Sequence, residues 1–368
     1  MKQEYLIQQH YSLDFFESIQ YFRKIALEID RNPASITNHL NFLRIKQLCH
    51  DRNSTCLERV QRIEALSYGD SGVVLACPGP SLSGLLLREL GSEEQKERFF
   101  QFIESHAVTT FLAVSEPNKG SDAGQMETTL KSQGAHTYVL QGEKWLVGHG
   151  ADAPIGVVVA RRSTGPLGII AILITPEEMS ASTVHLERTH LKMFGLCGAR
   201  LSHLKFNDFS IPKENILGAH LKSTERGMMA VMKTFNRMRP VVAALALGQA
   251  QAIIDYLQTN FYFNKTKFKF LQILNSEILS TRRFLYHAAK CIDQDPMNSF
   301  PASAAKSKST ALVEKILSVA LDFVDVEWVE HPFLLKWHRD VYGYEYMEGT
   351  SHIQLKQVYQ SYRQLRKK

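Results

Sequence analysis

Through the first third of the chain, apolar residues recur at three- and four-residue spacing. That period predicts helices over residues 11–29, 36–49, 55–67 and 82–90. Ser92, followed three positions later by Gln95, has the pattern of a capped helix start and opens a further helix. Near Val108 the period changes. Segments 109–114, 137–141, 155–160, 169–174, 183–186 and 201–206 are short and rich in β-branched and aromatic residues. Turn signals such as Asn118-Lys119-Gly120, Gln133-Gly134 and Thr164-Gly165-Pro166 separate them. They predict a compact antiparallel β domain, closed by Leu217-Gly218. From about residue 220 the helical period returns over 228–256, with Pro240 inside it, then over 271–291 and 302–326. A last helix is expected from near Thr350 to Arg363. Long helices joined by short links predict a bundle. The chain therefore divides into an N-terminal helical domain (1–107), a β domain (108–219) and a C-terminal helical bundle (220–368). It is mainly α with a central β domain.

Composition narrows the class. A chain of 368 residues is long enough for two or three domains with a large core. A charged share of 22% is that of an ordinary globular protein. We read no apolar run of the roughly 18 residues that span a bilayer, so no membrane role is expected. Met1 to Tyr5 lacks a basic stretch followed by an apolar one, so no secretory leader is expected. The five cysteines are scattered, without paired spacing or a histidine cluster; reduced thiols in a cytoplasm and no metal are the expectation. Net charge is +6, spread along the chain, unlike the dense basic stripe of a nucleic-acid binder. It suits an acidic partner, a phosphate-bearing ligand, or simply a solvated surface.

Chemistry concentrates in five stretches. Arg339-Asp340 leads through Tyr342, Tyr344 and Tyr346 to Glu348-Gly349-Thr350-Ser351-His352-Ile353-Gln354. A carboxylate in an apolar wall has its charged form disfavoured, which moves its pKa toward the range of a general base. Gly349 lets the backbone turn or approach a ligand, and Thr350 and Ser351 can cap a helix or bond a cofactor. The second stretch runs from Phe111 through Val114-Ser115-Glu116-Pro117 to Gly120-Ser121-Asp122. It is either a plain turn or a strand-to-loop element presenting N–H groups and hydroxyls to a ring or thioester. The third, Gly142-Glu143-Lys144-Trp145-Leu146-Val147-Gly148-His149-Gly150, delivers an indole into a glycine-rich turn. In the fourth, Phe194 to Ser202 followed by Ile211 to Gly218, Arg200 either contacts a phosphate or carboxylate or makes a surface salt bridge. The fifth, Phe235-Asn236-Arg237-Met238-Arg239-Pro240 and the small residues to Gly248, places Arg239 at the head of a tightly packed helix.

In this order and at these separations the stretches resemble the acyl-CoA dehydrogenase family of flavoproteins, over residues 60–260 and 328–358. The resemblance implies a helical N-terminal domain, a β-barrel or sandwich middle domain and a C-terminal four-helix bundle, with FAD between the last two. It implies an oxidoreductase in which a glutamate removes the α-proton of an acyl thioester and the β-hydride passes to the flavin. Matched residue by residue, Glu348 is the base. Met238 stands where some members carry theirs and cannot accept a proton. The same matching gives Val114, Ser115, Gly120, Ser121, Trp145, Leu146, Gly148, Thr350 and His352 to the cofactor, and Ser121, Arg239 and Gly349 to the substrate. The thioester oxygen gathers charge as the proton leaves and needs donors; in the family these are the base's own N–H and a flavin ribityl hydroxyl.

The chain departs from the family at several points. Leu146 and Gly148 replace an aromatic residue and a threonine beside the flavin, and Trp145 supplies a ring one position away. Where the family has an arginine for the flavin pyrophosphate, this chain has Phe263-Asn264-Lys265-Thr266-Lys267-Phe268. Lys265 or Lys267 offers charge without a bidentate fork. Asp325 to Glu330 replaces a glycine-rich turn. Pro78-Gly79-Pro80-Ser81-Leu82 and the Glu116–Asp122 loop resemble a branch serving polyketide and nonribosomal peptide pathways, whose short acyl or extender units ride on an acyl carrier protein. The expectation is a homodimeric FAD enzyme acting on such a thioester. The alternatives are an ordinary acyl-CoA dehydrogenase of fatty or amino acid breakdown and a non-catalytic binding protein. The acyl group and the electron acceptor are left open.

Overall fold

Thr55 and Ser92 each open a helix in the same way: the hydroxyl accepts from the N–H three residues on, and the side chain of Glu58 or Gln95 reaches back to the cap's own N–H. These reciprocal bonds set the starts of α2 (Cys56–Ala76) and α4 (Glu93–His106) in the computed structural model, which describes residues 7–45, 54–181 and 184–365. α1 (Phe16–Arg31) lies before them and α3 (Ser81–Leu90) between them. α1 buries Phe22, Ile25, Ala26 and Ile29 along one face. The helix expected over 36–49 is instead a 3₁₀ stretch, Pro33–His39, and a short helix, Leu40–Ile45; residues 46–49 lie outside the described residues. α2 runs well past Ser67. Gly69-Asp70-Ser71-Gly72 reads as a stop, yet the chain only kinks there: Asp70 leaves helical geometry (φ −169°, ψ 127°) and its carboxylate accepts from Val73 N–H at 2.9 Å. Tertiary burial overrides local propensity.

The central domain is one curled sheet of seven strands: β1 (Phe111–Ala113), β2 (Thr129–Ser132), β3 (Thr137–Val147), β4 (Gly156–Arg161), β5 (Ile169–Ile174), β6 (Leu186–His190) and β7 (Ser202–Pro212). They lie in the order β1-β4-β2-β3-β7-β6, with β5 on β4. The expectation of a purely antiparallel domain is corrected: β1 and β4 pair in parallel, with Phe111 opposite Gly156 and Ala113 opposite Val158. A parallel pair needs a crossover of a dozen or more residues, and the β2–β3 hairpin with the turn after it supplies one. The strand expected over 183–186 lies at Leu186–His190, and residues 182–183 are outside the described set.

The C-terminal part is α5 (Met228–Asn260), α6 (Lys265–Gln294), α7 (Ser299–Val324), α8 (Pro332–Asp340) and α9 (Ser351–Leu365). α7 packs against α5, α6 and α9, while α2 of the N-terminal part lies along α5. The last contact is backbone-close: a Cβ on Gly248 would meet the carbonyl oxygen of Glu64 at 2.3 Å. α5 is long and apolar enough to cross a membrane, contrary to our reading of the sequence, but 94% of its apolar window is buried inside the protein. It is the axis on which the two helical parts are joined.

Candidate active site

One wall of the site comes from the β domain. Lys144 on β3 is fully buried, and its ammonium bonds both the Val114 carbonyl and Glu116 Oε1 at 2.9 Å. Glu116 in turn accepts from the N–H groups of Glu127 and Thr128 at 2.5 and 2.9 Å. Burial draws Lys144 down to about 8 against the pull of Glu116. Burial pushes Glu116 up, but Lys144 and the N–H donors overcome it and hold the carboxylate below its usual range. This pair fixes the start of the Val114–Asp122 loop against β3. Trp145 N–H adds a bond to the Ser115 carbonyl at 2.8 Å, and the indole meets His203 edge-on at 4.9 Å. Val114, Ser115 and Trp145 are therefore brought together. Leu146, in a left-handed conformation (φ 58°), is half exposed. Gly148 lies at the next turn, where His149 N–H bonds the carbonyls of Ala199 and Arg200 and the His149 ring bonds the Leu75 carbonyl of α2. Gly120 and Ser121 sit on the exposed outer part of the loop.

A second group of expected residues comes from the bundle. Glu348 is itself left-handed (φ 49°), followed by Gly349 at φ 99°. Three side chains clamp this turn. Gln354 Nε2 donates to the carbonyls of Glu348 and Gly349 at 2.9 and 3.0 Å, and Arg239 Nε reaches the Glu348 carbonyl at 3.4 Å. Lys306 Nζ bonds the carbonyls of Glu345 and Gly349 at 2.8 and 2.9 Å. Glu345 closes the arrangement by capping α9, accepting from Ser351 N–H at 2.7 Å and from its hydroxyl at 2.5 Å. Held this way, Glu348 Oε2 is sealed from water and has no hydrogen-bond partner. Burial raises its pKa to about 7, with Lys306 and Arg239 opposing. That value suits a base at neutral pH.

Arg339 and Asp340 tie the bundle to the β domain. Arg339 pairs with Asp30 of α1 at 2.6 Å and donates to the Phe194 carbonyl of the β domain at 3.1 Å. Asp340 accepts from Leu196 N–H at 2.6 Å and shares Lys336 with Asp70 at the α2 kink, at 2.6 and 2.7 Å. So the kink, the Phe194–Arg200 loop and the segment leading to Glu348 are one buried polar unit.

The other expected residues fall as follows. Thr350 is half-buried beside Glu348 and Gly349, and His352 is exposed on the first turn of α9. Arg239 is buried, its guanidinium occupied by Asn236 and Gln357 at 2.6 and 2.5 Å as well as by the Glu348 carbonyl. Arg200 makes a bidentate pair with Asp152 at 2.6 and 2.5 Å, the salt-bridge alternative of the two open in the sequence. Lys267 bonds the Phe323 carbonyl at 3.1 Å, so its charge ties α6 to the end of α7. Sequence reasoning missed Lys306 and Gln354. The signal was present for Lys306: it stands on the core face of α7, among Ala302, Ser303, Ala305 and Ser309, where a lysine is out of place.

The ring of a flavin fits this site. Glu348 offers a carboxylate whose Oε2 is sealed and unpartnered. In the β domain, a Cβ built on Gly148 would meet only the Ala199 carbonyl, at 3.6 Å, so the turn leaves space beside it. Val114, Ser115, Trp145 and Gly148 would hold the ring edge, and Thr350 its far side.

Comparisons with known proteins agree. The profile of the acyl-CoA dehydrogenase middle domain matches residues 112–209 and that of the acyl-CoA dehydrogenase C-terminal domain matches 225–362. A protein named probable medium-chain specific acyl-CoA dehydrogenase 2, mitochondrial, from Caenorhabditis briggsae is 28% identical over 314 residues, 82% of this chain and 74% of its own. Among solved structures, butyryl-CoA dehydrogenase from Megasphaera elsdenii superimposes with a TM-score of 0.79 at 23% identity, covering 96% of this chain and 97% of that one. The prolyl acyl carrier protein oxidase AnaB does so with a TM-score of 0.79 at 18% identity, covering 95% and 99%. At those identities the structures attest the fold alone, while the two profiles span more than half of the sequence. The two profiles together place the chain in the acyl-CoA dehydrogenase family of FAD-dependent oxidoreductases.

Proposed function

We propose that this enzyme oxidises a short acyl thioester delivered on an acyl carrier protein, with Glu348 removing the α-proton. The observation that carries the reading is the sealed, unpartnered Glu348 Oε2 in a clamped left-handed turn. FAD, when bound, supplies the acceptor for the hydride leaving the β-carbon. The chain's own residues do the rest. Gln354, Arg239 and Lys306 hold the turn so that the carboxylate keeps one orientation. Burial keeps the carboxylate basic enough to take a proton near pH 7. Lys144 and Glu116 fix the loop carrying Val114 and Ser115, which would bear on the cofactor, while Ser121 and Gly349 would line the acyl path. If residues 263–268 stand where relatives carry a pyrophosphate arginine, FAD would bind more weakly here than in them.

The positive charge balance supports the carrier. Carrier proteins are usually acidic, and opposite charge speeds encounter more than it deepens affinity. A second reading, an acyl-CoA substrate, is favoured by the names of the curated relatives, which include a short-chain specific acyl-CoA dehydrogenase from Megasphaera elsdenii. Rapid anaerobic mixing of the FAD-loaded enzyme with matched acyl-carrier and acyl-CoA thioesters separates the two. We expect faster flavin bleaching by the carrier form, with the advantage shrinking once ionic strength passes about 0.1 M, where the screening length is roughly 10 Å. Equal or faster bleaching by acyl-CoA at every salt concentration gives the second reading.

A further inference from the structure

We infer that Lys306 is the positioning residue of the base: its buried ammonium closes the turn that carries Glu348 and sets the positive field in which that carboxylate works. The inference rests on the reading of Glu348 as the base and names the device that makes it one.

A fully buried lysine is ordinarily found against a carboxylate. Lys306 has no exposure, yet its bonds go to two backbone carbonyls, Glu345 at 2.8 Å and Gly349 at 2.9 Å. Those carbonyls stand before and after Glu348, so one ammonium bridges the ends of the turn. Left-handed backbone at a glutamate is strained and persists only where the surroundings over-determine it. Gln354 clamps the same turn as a neutral donor and Arg239 reaches it at the longer 3.4 Å, so Lys306 is the charged group that ties both sides.

The electrostatics follow from position. Glu348 faces Lys306 from α7 and Arg239 from α5, both of which favour its ionised form against burial. Burial lowers the pKa of Lys306 itself; Glu345 on the approach to the turn, Glu348 and Glu314 on α7 oppose that, while Arg239 adds to it. Without the Lys306 charge, the carboxyl would hold its proton to higher pH and be a base in fewer molecules at neutrality. A donor on the carbonyls alone would keep the shape of the turn without that field.

Lys306→Gln separates the two roles, because it keeps a donor and removes the charge. We expect this variant to retain FAD and its melting temperature. Thioester-driven flavin reduction at pH 7 should fall about fivefold, and the acid limb of its pH profile should move up by about one unit, as for loss of one nearby opposite charge. The thioester concentration giving half-maximal reduction should change less than about threefold, since the substrate is not contacted. Lys306→Arg should leave the acid limb within about 0.3 unit of the unaltered protein. Infrared titration of the Glu348 carboxyl stretch, isolated by difference against Glu348→Gln, reads the same shift without turnover. Gln354→Leu removes the neutral clamp and should slow reduction while leaving this titration in place.

An unmoved infrared titration in Lys306→Gln overturns the inference, as does an equal shift in Gln354→Leu. If Lys306→Gln does not fold, Lys306→Arg decides, and a full unit of movement in it overturns the inference. Lack of thioester-driven reduction by the unaltered enzyme would instead remove the proposed function, with the infrared titration still judging Lys306.

Discussion

Glu348 is held in a state that costs the folded protein something. Burial raises its pKa from the usual 4.5 to about 7. For a group raised in this direction, the stabilising difference is fully present below the unfolded pKa and is lost as pH rises through the folded one. Above pH 7 the folded state therefore carries an ionised carboxylate it would rather protonate, a penalty of no more than about 3 kcal/mol. Glu348→Gln is expected to melt higher than the unaltered flavin-free protein at pH 8, with the gap closing by pH 5. A differential scanning series across that range checks it, and a gap independent of pH would contradict the assigned pKa. At this scale Glu348 and Gly349 were legible because sequence neighbours carry the motif. Lys306 stood out only as a lysine on the core face of α7, and Gln354 not at all, because the turn they clamp forms only when α7 and α9 are brought together. Arg200 was legible only as a choice, decided by the distance to Asp152 across the fold.

Element boundaries divide by the kind of signal behind them. The capping box at Ser92 placed a helix start from sequence because its bonds are local, and the structure shows the same device at Thr55, where the apolar spacing had marked the start. The end of α2 misleads because Gly69 to Gly72 carry turn chemistry while the surrounding core imposes helix on both sides of a kink. The direction of β4 was hidden for another reason: Val157, Val158 and Val159 are all buried, so its pattern is a continuous apolar run without alternation. The α2–α5 crossing yields a prediction in which packing and propensity oppose each other. Replacing a helical glycine by alanine gains up to about 1 kcal/mol from propensity. At Gly248 the new methyl would meet the Glu64 backbone carbonyl at 2.3 Å. Overpacking of this kind typically costs about 1–3 kcal/mol, and a backbone oxygen cannot swing aside. Gly248→Ala should therefore be destabilised by about 1–2 kcal/mol net in chemical denaturation. A stabilised variant would mean that the two helices can separate freely.

On the scale of the whole molecule, the three-part architecture was readable because the apolar period changes twice along the chain and each change survives burial. Assembly was not readable. Tyr262, Phe268, Phe270, Val326 and Val329 are exposed apolar residues on α6, the segment before it and the turn after α7, near where the chain departs from its relatives. We propose a homodimer in which a second copy covers those residues. Light scattering at micromolar concentration is expected to give twice the 41.8 kDa chain mass. A monomer leaves the patch without this cover, and a stable tetramer would show that the altered turn at Asp325–Glu330 does not weaken assembly.

Proton removal in this site falls to one carboxylate, that of Glu348. The most direct test is anaerobic stopped-flow reduction of FAD-loaded enzyme by a short acyl thioester, with the unaltered protein and Glu348→Gln side by side at equal flavin content. General-base catalysis contributes about 10²–10⁴-fold. The unaltered enzyme should bleach, and the variant, whose flavin spectrum before mixing is unchanged, should do so at a rate at least about 100-fold lower. Bleaching of the variant at near-normal rate would contradict that assignment, because Glu348 would then not be the group that takes the proton.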